Sequence, residues 1–185
     1  MMRAEIRLAG NGGQGIILAA KVLAEAAGIY ANLNVVQSQI YGAAARGELS
    51  KADVIIDDGD IYTLEISSAD LMLCLSQEAY DSFHKEIKPE GIVVLDDFYV
   101  QKFDVLDKRF MSFPISQMSK DLAGSEMFTN MISVGILTVV GGYFTEEHAL
   151  KAVEKNVPKN FLEMNIKAVN MGFEVAHKKM KERKC

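Results

Sequence analysis

The feature that most limits what this chain can fold into is a cluster of glycines set between two segments of different periodicity. Ala4 to Ala9 alternates apolar and charged residues as a half-buried strand does, and Ile16 to Ala27 is rich in good helix formers. Between them, Gly10-Asn11-Gly12-Gly13-Gln14-Gly15 fits the spacing G-x-G-x-x-G. Glycine permits the tight turn, and it lets a ligand phosphate reach backbone N–H groups at the positive end of the following helix. Gly28 is expected to close that helix in a left-handed conformation, and Asn34 to Gln37 reads as a second strand, so the opening is a βαβ unit.

Two readings of the turn stay open at this level. It holds an anion, or its glycines serve only to let helix and strand pack closely. A nicotinamide-binding domain places an acid at the end of its second strand, about 20 residues on, to hold the ribose hydroxyls. Here that place holds Gln37-Ser38-Gln39, which weakens the dinucleotide reading.

Further along, Asp53 to Asp57 is a β-branched run bounded by acids and predicts a buried strand, with two more at Leu71 to Leu75 and Ile92 to Leu95. Gln77 to Ile87 is helical in composition, and Lys88-Pro89-Glu90-Gly91 reads as a turn that stops it. Met111 to Pro114 adds a short last strand. Phe128 to Val140 suits either a strand or a helix by composition, and its length favours a helix. Thr145 is a candidate N-cap, with Leu150, Val153 and Val157 down one face before Pro158. Leu162, Ile166, Val169, Phe173, Ala176 and Met180 then recur at helical spacing as a core-facing stripe. The basic end, His177 to Lys184, reads as a frayed, solvated helix terminus. The fold class is therefore α/β: one domain over residues 1–185, a doubly wound Rossmann-like sheet with C-terminal helices.

The formal charge of −5, with both signs interspersed, disfavours nucleic acid as a partner. Charges at Arg3, Glu5 and Arg7 spoil any signal-peptide core, and the apolar run Met131 to Val140 is shorter than the ~20 residues of a membrane span, so a cytoplasmic protein with no membrane segment is expected. Two cysteines, Cys74 and Cys185, supply neither a disulfide framework nor an iron–sulfur site. His84, His148 and His177 read as solvated surface residues. No catalytic residue and no metal ligand is assigned.

Several motifs in order give a more specific likeness. Gly10-Asn11-Gly12-Gly13-Gln14-Gly15-Ile16, then Tyr41-Gly42, Ala45-Arg46-Gly47, Asp53-Val54-Ile55-Ile56, Leu75-Ser76-Gln77-Glu78-Ala79-Tyr80, Thr129-Asn130-Met131 and Val157-Pro158 resemble the gamma subunit of 2-oxoacid:ferredoxin oxidoreductases over nearly the whole chain. Ser76-Gln77-Glu78-Ala79 and Val157-Pro158-Lys159 are most similar to the 2-oxoglutarate type. The chain departs from the family pattern at Ala43, Ala44 and Glu48, where related loops carry proline, glutamate and glycine.

The resemblance implies a complex that converts a 2-oxoacid and coenzyme A to acyl-CoA, carbon dioxide and reduced ferredoxin. It further implies that thiamine diphosphate, Mg and iron–sulfur clusters reside in partner subunits: alpha, beta and, as a further candidate, delta, with ferredoxin met indirectly. This chain carries no Gly-Asp-Gly thiamine motif, and no cofactor is expected to bind it tightly. By the same resemblance, coenzyme A is the candidate ligand, with Gly12, Gly13, Gln14 and Gly15 holding phosphate or shaping the pantetheine path. Arg46 would supply charge, and Thr129 and Asn130 polar contacts. Arg46 reads equally as a surface or subunit-interface ion pair, and Tyr41 as an interface anchor. The competing functions are a free-standing Rossmann-type nucleotide-binding oxidoreductase and a ligand-free structural assembly subunit.

Overall fold

The computed structural model describes residues 2–40 and 49–184. The elements run β1 (Arg3–Asn11), α1 (Ile16–Glu25), β2 (Asn34–Ile40), β3 (Leu49–Asp57), β4 (Ala69–Cys74), α2 (Gln77–Phe83), β5 (Ile87–Asp96), β6 (Phe110–Phe113), α3 (Ile115–Ala123), α4 (Thr129–Gly141), α5 (Glu146–Asn156) and α6 (Lys159–Lys184). The strands form one sheet in the order β2-β3-β1-β4-β5-β6. β1, β4, β5 and β6 are parallel, whereas β3 is antiparallel to both β1 and β2.

The opening unit thus has the expected sequence of elements and direction, but β3 is inserted between its two strands. A short connection from β2 to β3 favours antiparallel neighbours, because a parallel return needs a long crossover. Alternation along the strands sorts the side chains. Ala4, Ile6 and Leu8 of β1, with Val54, Ile56, Leu71 and Leu73, face the cluster built on α1, α4, α5 and α6. Ile55, Met72, Cys74 and Val93 face the opposite side, under Ala79 and Tyr80 of α2. With α1 on one face and α2 on the other, the sheet is doubly wound.

α4 is buried along almost all its length, which accounts for its β-branched composition: a helix surrounded by core needs no polar stripe. It crosses α6 where Gly135 meets Gly172, and a Cβ added to either would lie 2.9 Å from the Cα of the other. The two backbones touch there, and a methyl group would push the helices apart at a cost of about 1–3 kcal/mol. Thr145 caps α5 as expected, with the His148 side chain completing a capping box.

Three local expectations are corrected. α1 ends at Glu25 and passes into a π-turn, Ala26–Tyr30, so Gly28 is not its cap. The left-handed residue is Asn32, at φ 55°, which tolerates that region through its short polar side chain. Lys88-Pro89-Glu90-Gly91 is not a turn before a strand but an irregularity within β5: Ala69 faces Ile87 while Leu71 already faces Ile92. The basic end does not read as frayed, since α6 continues to Lys184, Lys179 lies over the Phe113 ring and Arg183 donates to the Lys108 carbonyl.

Candidate functional site

The chain leaves β1 through α1 to one face and leaves β4 through α2 to the other, so the backbone parts at the carboxyl ends of these two neighbouring strands. Open α/β sheets bind ligands at such a switch point. The glycine turn occupies it. Leu75 N donates to Ala9 O at 3.0 Å, continuing the β1–β4 pairing to the sheet's rim.

Gln14 holds the turn in shape. Its Oε1 accepts from Asn11 N at 2.6 Å, and its Nε2 donates to the Leu75 carbonyl at 3.0 Å, so one side chain ties the turn to the end of β4. A Cβ on Gly10 would strike Gln14 Oε1 at 2.5 Å, and glycine there makes room for this clasp. Gly12 and Gly13 lie on the exposed crest. Gly13 has φ 97° with open space where a side chain would project. Gly15, at φ 73°, is the N-cap of α1.

Two helix N-termini meet here. α1 has no side-chain cap and no acid in its first turn, and the same holds for α4. The first N–H groups and the dipole of α1 therefore present positive potential, whereas at α4 Thr129 N and Met131 N already donate to the Glu126 and Phe128 carbonyls. Asn130, 8% exposed, joins the two helix starts: its Oδ1 accepts from Met131 N at 2.9 Å while its Nδ2 stands against Gly15. Thr129 is buried, and its hydroxyl donates to the Glu126 carbonyl at 2.9 Å, so it shapes the start of α4. Beside Asn130 is an apolar hollow of about 170 Å³ walled by Leu18, Met127, Val157, Pro158 and Phe161. Arg46 and Tyr41 lie outside the described residues; the flanking strand begins at Leu49, directly opposite Asn11 of the turn.

Other polar groups are spent on structure. Asp96, at the carboxyl end of β5, is fully buried, accepting from Ser116 Oγ, Ser116 N and Phe98 N. Burial pushes its carboxyl above the ordinary range, with the Ser116 hydrogen bonds opposing. A roomier hollow of about 530 Å³ sits at the opposite end of the strands, but its Lys88 is already paired with Asp70 at 2.8 Å and Glu5 at 3.1 Å. His84 stacks on Tyr80 and His177 pairs with Glu146, away from the turn. Among the described residues no cluster of three metal-ligating side chains occurs, and no helix is long and apolar enough to cross a membrane.

No local pattern announces the Arg7 site on the face under α2. Arg7 is 1% exposed and forms two 2.8 Å bonds to Asp53, one to the Ile66 carbonyl, and an ion pair with Glu86. Burial works against its charge, but Asp53 and Glu86 outweigh it and the guanidinium is held more firmly protonated than usual.

Residues 5–175 match the pyruvate ferredoxin/flavodoxin oxidoreductase family. The chain belongs to that family. This pyruvate ferredoxin/flavodoxin oxidoreductase family chain is 38% identical over 177 residues to the 2-oxoglutarate synthase subunit KorC of Methanocaldococcus jannaschii, covering 95% of each. Its fold superposes with TM-score 0.87 on the keto/oxoacid ferredoxin oxidoreductase gamma subunit of Geobacter sulfurreducens, at 39% identity and covering 96% of this chain and 98% of that one. It also matches, with TM-score 0.86 and 23% identity, 32% of a chain of the Magnetococcus marinus 2-oxoglutarate:ferredoxin oxidoreductase, a structure with 2-oxoglutarate, coenzyme A and succinyl-CoA bound. This second family likeness, at lower identity, speaks to the fold alone.

Proposed function

We propose that the chain is the gamma-type subunit of a cytoplasmic 2-oxoacid:ferredoxin oxidoreductase of the 2-oxoglutarate kind, and that its glycine turn lies on the path of coenzyme A. The observation that carries the assignment is the full-length similarity to 2-oxoglutarate synthase subunits. The complex would convert 2-oxoacid and coenzyme A to acyl-CoA, carbon dioxide and reduced ferredoxin. Decarboxylation and electron transfer would belong to thiamine diphosphate, Mg and iron–sulfur clusters in partner subunits, alpha, beta and, as a further candidate, delta.

In this chain the proposed work is binding and orientation. The exposed crest at Gly12 and Gly13 admits a phosphate to the backbone, and Gly15 opens α1 toward it. Gln14 keeps the crest rigid. Asn130 offers its Nδ2 from the second helix start, Thr129 fixes that start, and Arg46 supplies the countercharge. The hollow beside Asn130 suits an apolar portion of the ligand. A turn that acts only as scaffold has its own support in the two internal bonds of Gln14.

One variant separates these. Valine at Gly13 meets open space, so Gly13→Val introduces only the strain of a β-branched residue at positive φ, about 1–3 kcal/mol. In a complex reconstituted at equal folded concentration, equal assembly and saturating 2-oxoacid, the coenzyme A KM should rise beyond what that loss explains. Unchanged coenzyme A kinetics in the assembled variant would make the turn a scaffold. Failure of the tagged chain to co-purify with thiamine- and cluster-bearing partners would overturn the subunit assignment itself.

A further inference from the structure

The loop between β5 and β6 has no regular structure, yet it is firmly built. Gln77 Oε1 accepts from Gln101 N at 3.1 Å and from Lys102 N at 3.0 Å, which fixes the early part of the loop against α2. Asp104 then turns the chain, its Oδ1 accepting from Leu106 N at 2.9 Å and its carbonyl from Asp107 N at 3.2 Å. The Asp107 carboxylate holds Arg109 at 2.6 Å and its carbonyl accepts from Phe110 N at 3.1 Å, delivering the chain into β6. The tip held up by these bonds is apolar: Val105 is 77% exposed and Leu106 86%. The turn itself is made by Asp104 and Asp107, so it does not call for two adjoining aliphatic side chains in water.

Beside the tip is a hollow of about 480 Å³, lined by the tip itself, by Phe110 and Met111 of β6 and by Lys179, Glu182 and Arg183 near the end of α6. Its cations are held in place. Arg183 donates to the Lys108 carbonyl and so ties α6 to the loop, and Lys179 lies over the Phe113 ring. Lys179 also acts on Asp97, opposing the effect of burial on that carboxyl. Lys108 is exposed, and among the described residues neither it nor Arg183 forms an ion pair. Asp107 is spent on Arg109, and Glu182 is outnumbered by Lys108, Lys179 and Arg183. A helix dipole favours cations in the last turn of α6, but it asks for neither Lys108 on the loop nor the aliphatic tip.

We infer that this hollow seats an acidic segment of another subunit of the complex, an apolar side chain packing on Val105 and Leu106 while flanking carboxylates meet Lys108 and Arg183. The inference rests on the gamma-type subunit reading. Charge complementarity selects the segment: a basic one is repelled, and a neutral one covers the cations without pairing them. A second copy of this chain would have to bring a different part of its surface to the hollow, and such a head-to-tail contact propagates into a filament unless its rotation closes. β4 and β5 separate β6 from β1, so the glycine turn takes no part and the inference stands apart from the coenzyme A assignment.

The test uses the tagged full chain in its own complex. Recovery of other subunits with the wild-type chain checks the subunit reading, and its failure would sink that reading together with this inference. Where they are recovered, the hollow is tested separately. Leu106→Asp with Lys108→Glu changes two exposed positions, so the urea midpoint should stay near that of wild type, whereas the chain should leave its partners at least about fivefold faster. Added salt should speed the departure of wild type more than that of Lys108→Gln, which has one screened contact fewer. Should the double variant unfold, a photoreactive side chain in place of Leu106 decides: it should cross-link to another subunit within a stretch rich in Asp and Glu. Unchanged dissociation of the folded double variant overturns the inference. So does a cross-link to a second copy, to a segment without an excess of carboxylates, or to nothing.

Discussion

Asn130 stands where a side chain on Gly15 would have to go: a Cβ built on Gly15 would lie 2.5 Å from Asn130 Nδ2 and 3.0 Å from Asn130 Cβ. The starts of α1 and α4 are thereby fixed against each other. Gly15→Ala combines this clash with backbone strain at φ 73°, and should lower unfolding free energy in urea by about 1–3 kcal/mol. Asn130→Ala removes the amide from the contact. The double variant should therefore lose less than the sum of the single losses; strict additivity would show that strain alone, not the Asn130 contact, demands glycine.

Arg7→Met should be among the most damaging single substitutions on the α2 side of the sheet. It leaves Asp53, 5% exposed, without its bidentate partner, and the remaining Lys51 ammonium is 3.7 Å away. Breaking one side of a buried pair costs about 3–5 kcal/mol. Arg7→Met with Asp53→Leu should recover much of that loss. Equal urea midpoints for the single and double variants would refute the unpaired-carboxylate explanation.

How far the fold was legible follows from these residues. Alternation in Ala4 to Ala9 located β1, and the helical stripe from Leu162 to Met180 located α6, because each pattern directly records which face is buried. The order of strands was not recorded in this way. Nothing local in Asp53 to Asp57 says that β3 runs antiparallel between β1 and β2, since a buried strand looks the same in either direction. Nor does anything local mark Arg7 as buried, because its partners Asp53 and Glu86 are distant in sequence. At the candidate site the glycine spacing announced the turn, but the tie from Gln14 to Leu75 and the meeting of Gly15 with Asn130 depend on neighbours brought together only by the fold.

Acid stability should depend on Asp57. The Gly59 amide, at 2.8 Å, and the Arg3 guanidinium, at 3.0 Å, hold its carboxyl below the usual carboxylate range. A depressed folded-state pKa contributes stability that is present above the unfolded value of about 3.9 and is lost as pH falls through the folded value. Urea midpoints measured from neutral pH downward should fall less steeply below about pH 4 in Asp57→Asn than in wild type. Parallel acid limbs would remove Asp57 from the account.

Cys74 should be inert in the folded protein. It is fully buried on β4, and burial pushes its thiol up to about 12. In a Cys185→Ser background a thiol reagent at mildly alkaline pH should report no fast equivalent until denaturant is added, when one appears. Rapid labelling without denaturant would mean that the sheet opens locally at β4.

The place of β1 in the sheet also bears on the chain's birth. The first strand to be synthesised ends with β3 on one side and β4 on the other, so its edges wait for segments that leave the ribosome later. Once β3 has emerged it is able to pair with both β2 and β1, whereas the other edge of β1 has nothing to bind until β4 follows. Vectorial synthesis therefore gives way to assembly around a late-filled centre, and chains interrupted before Cys74 expose an apolar strand that a chaperone or protease would read as unfinished.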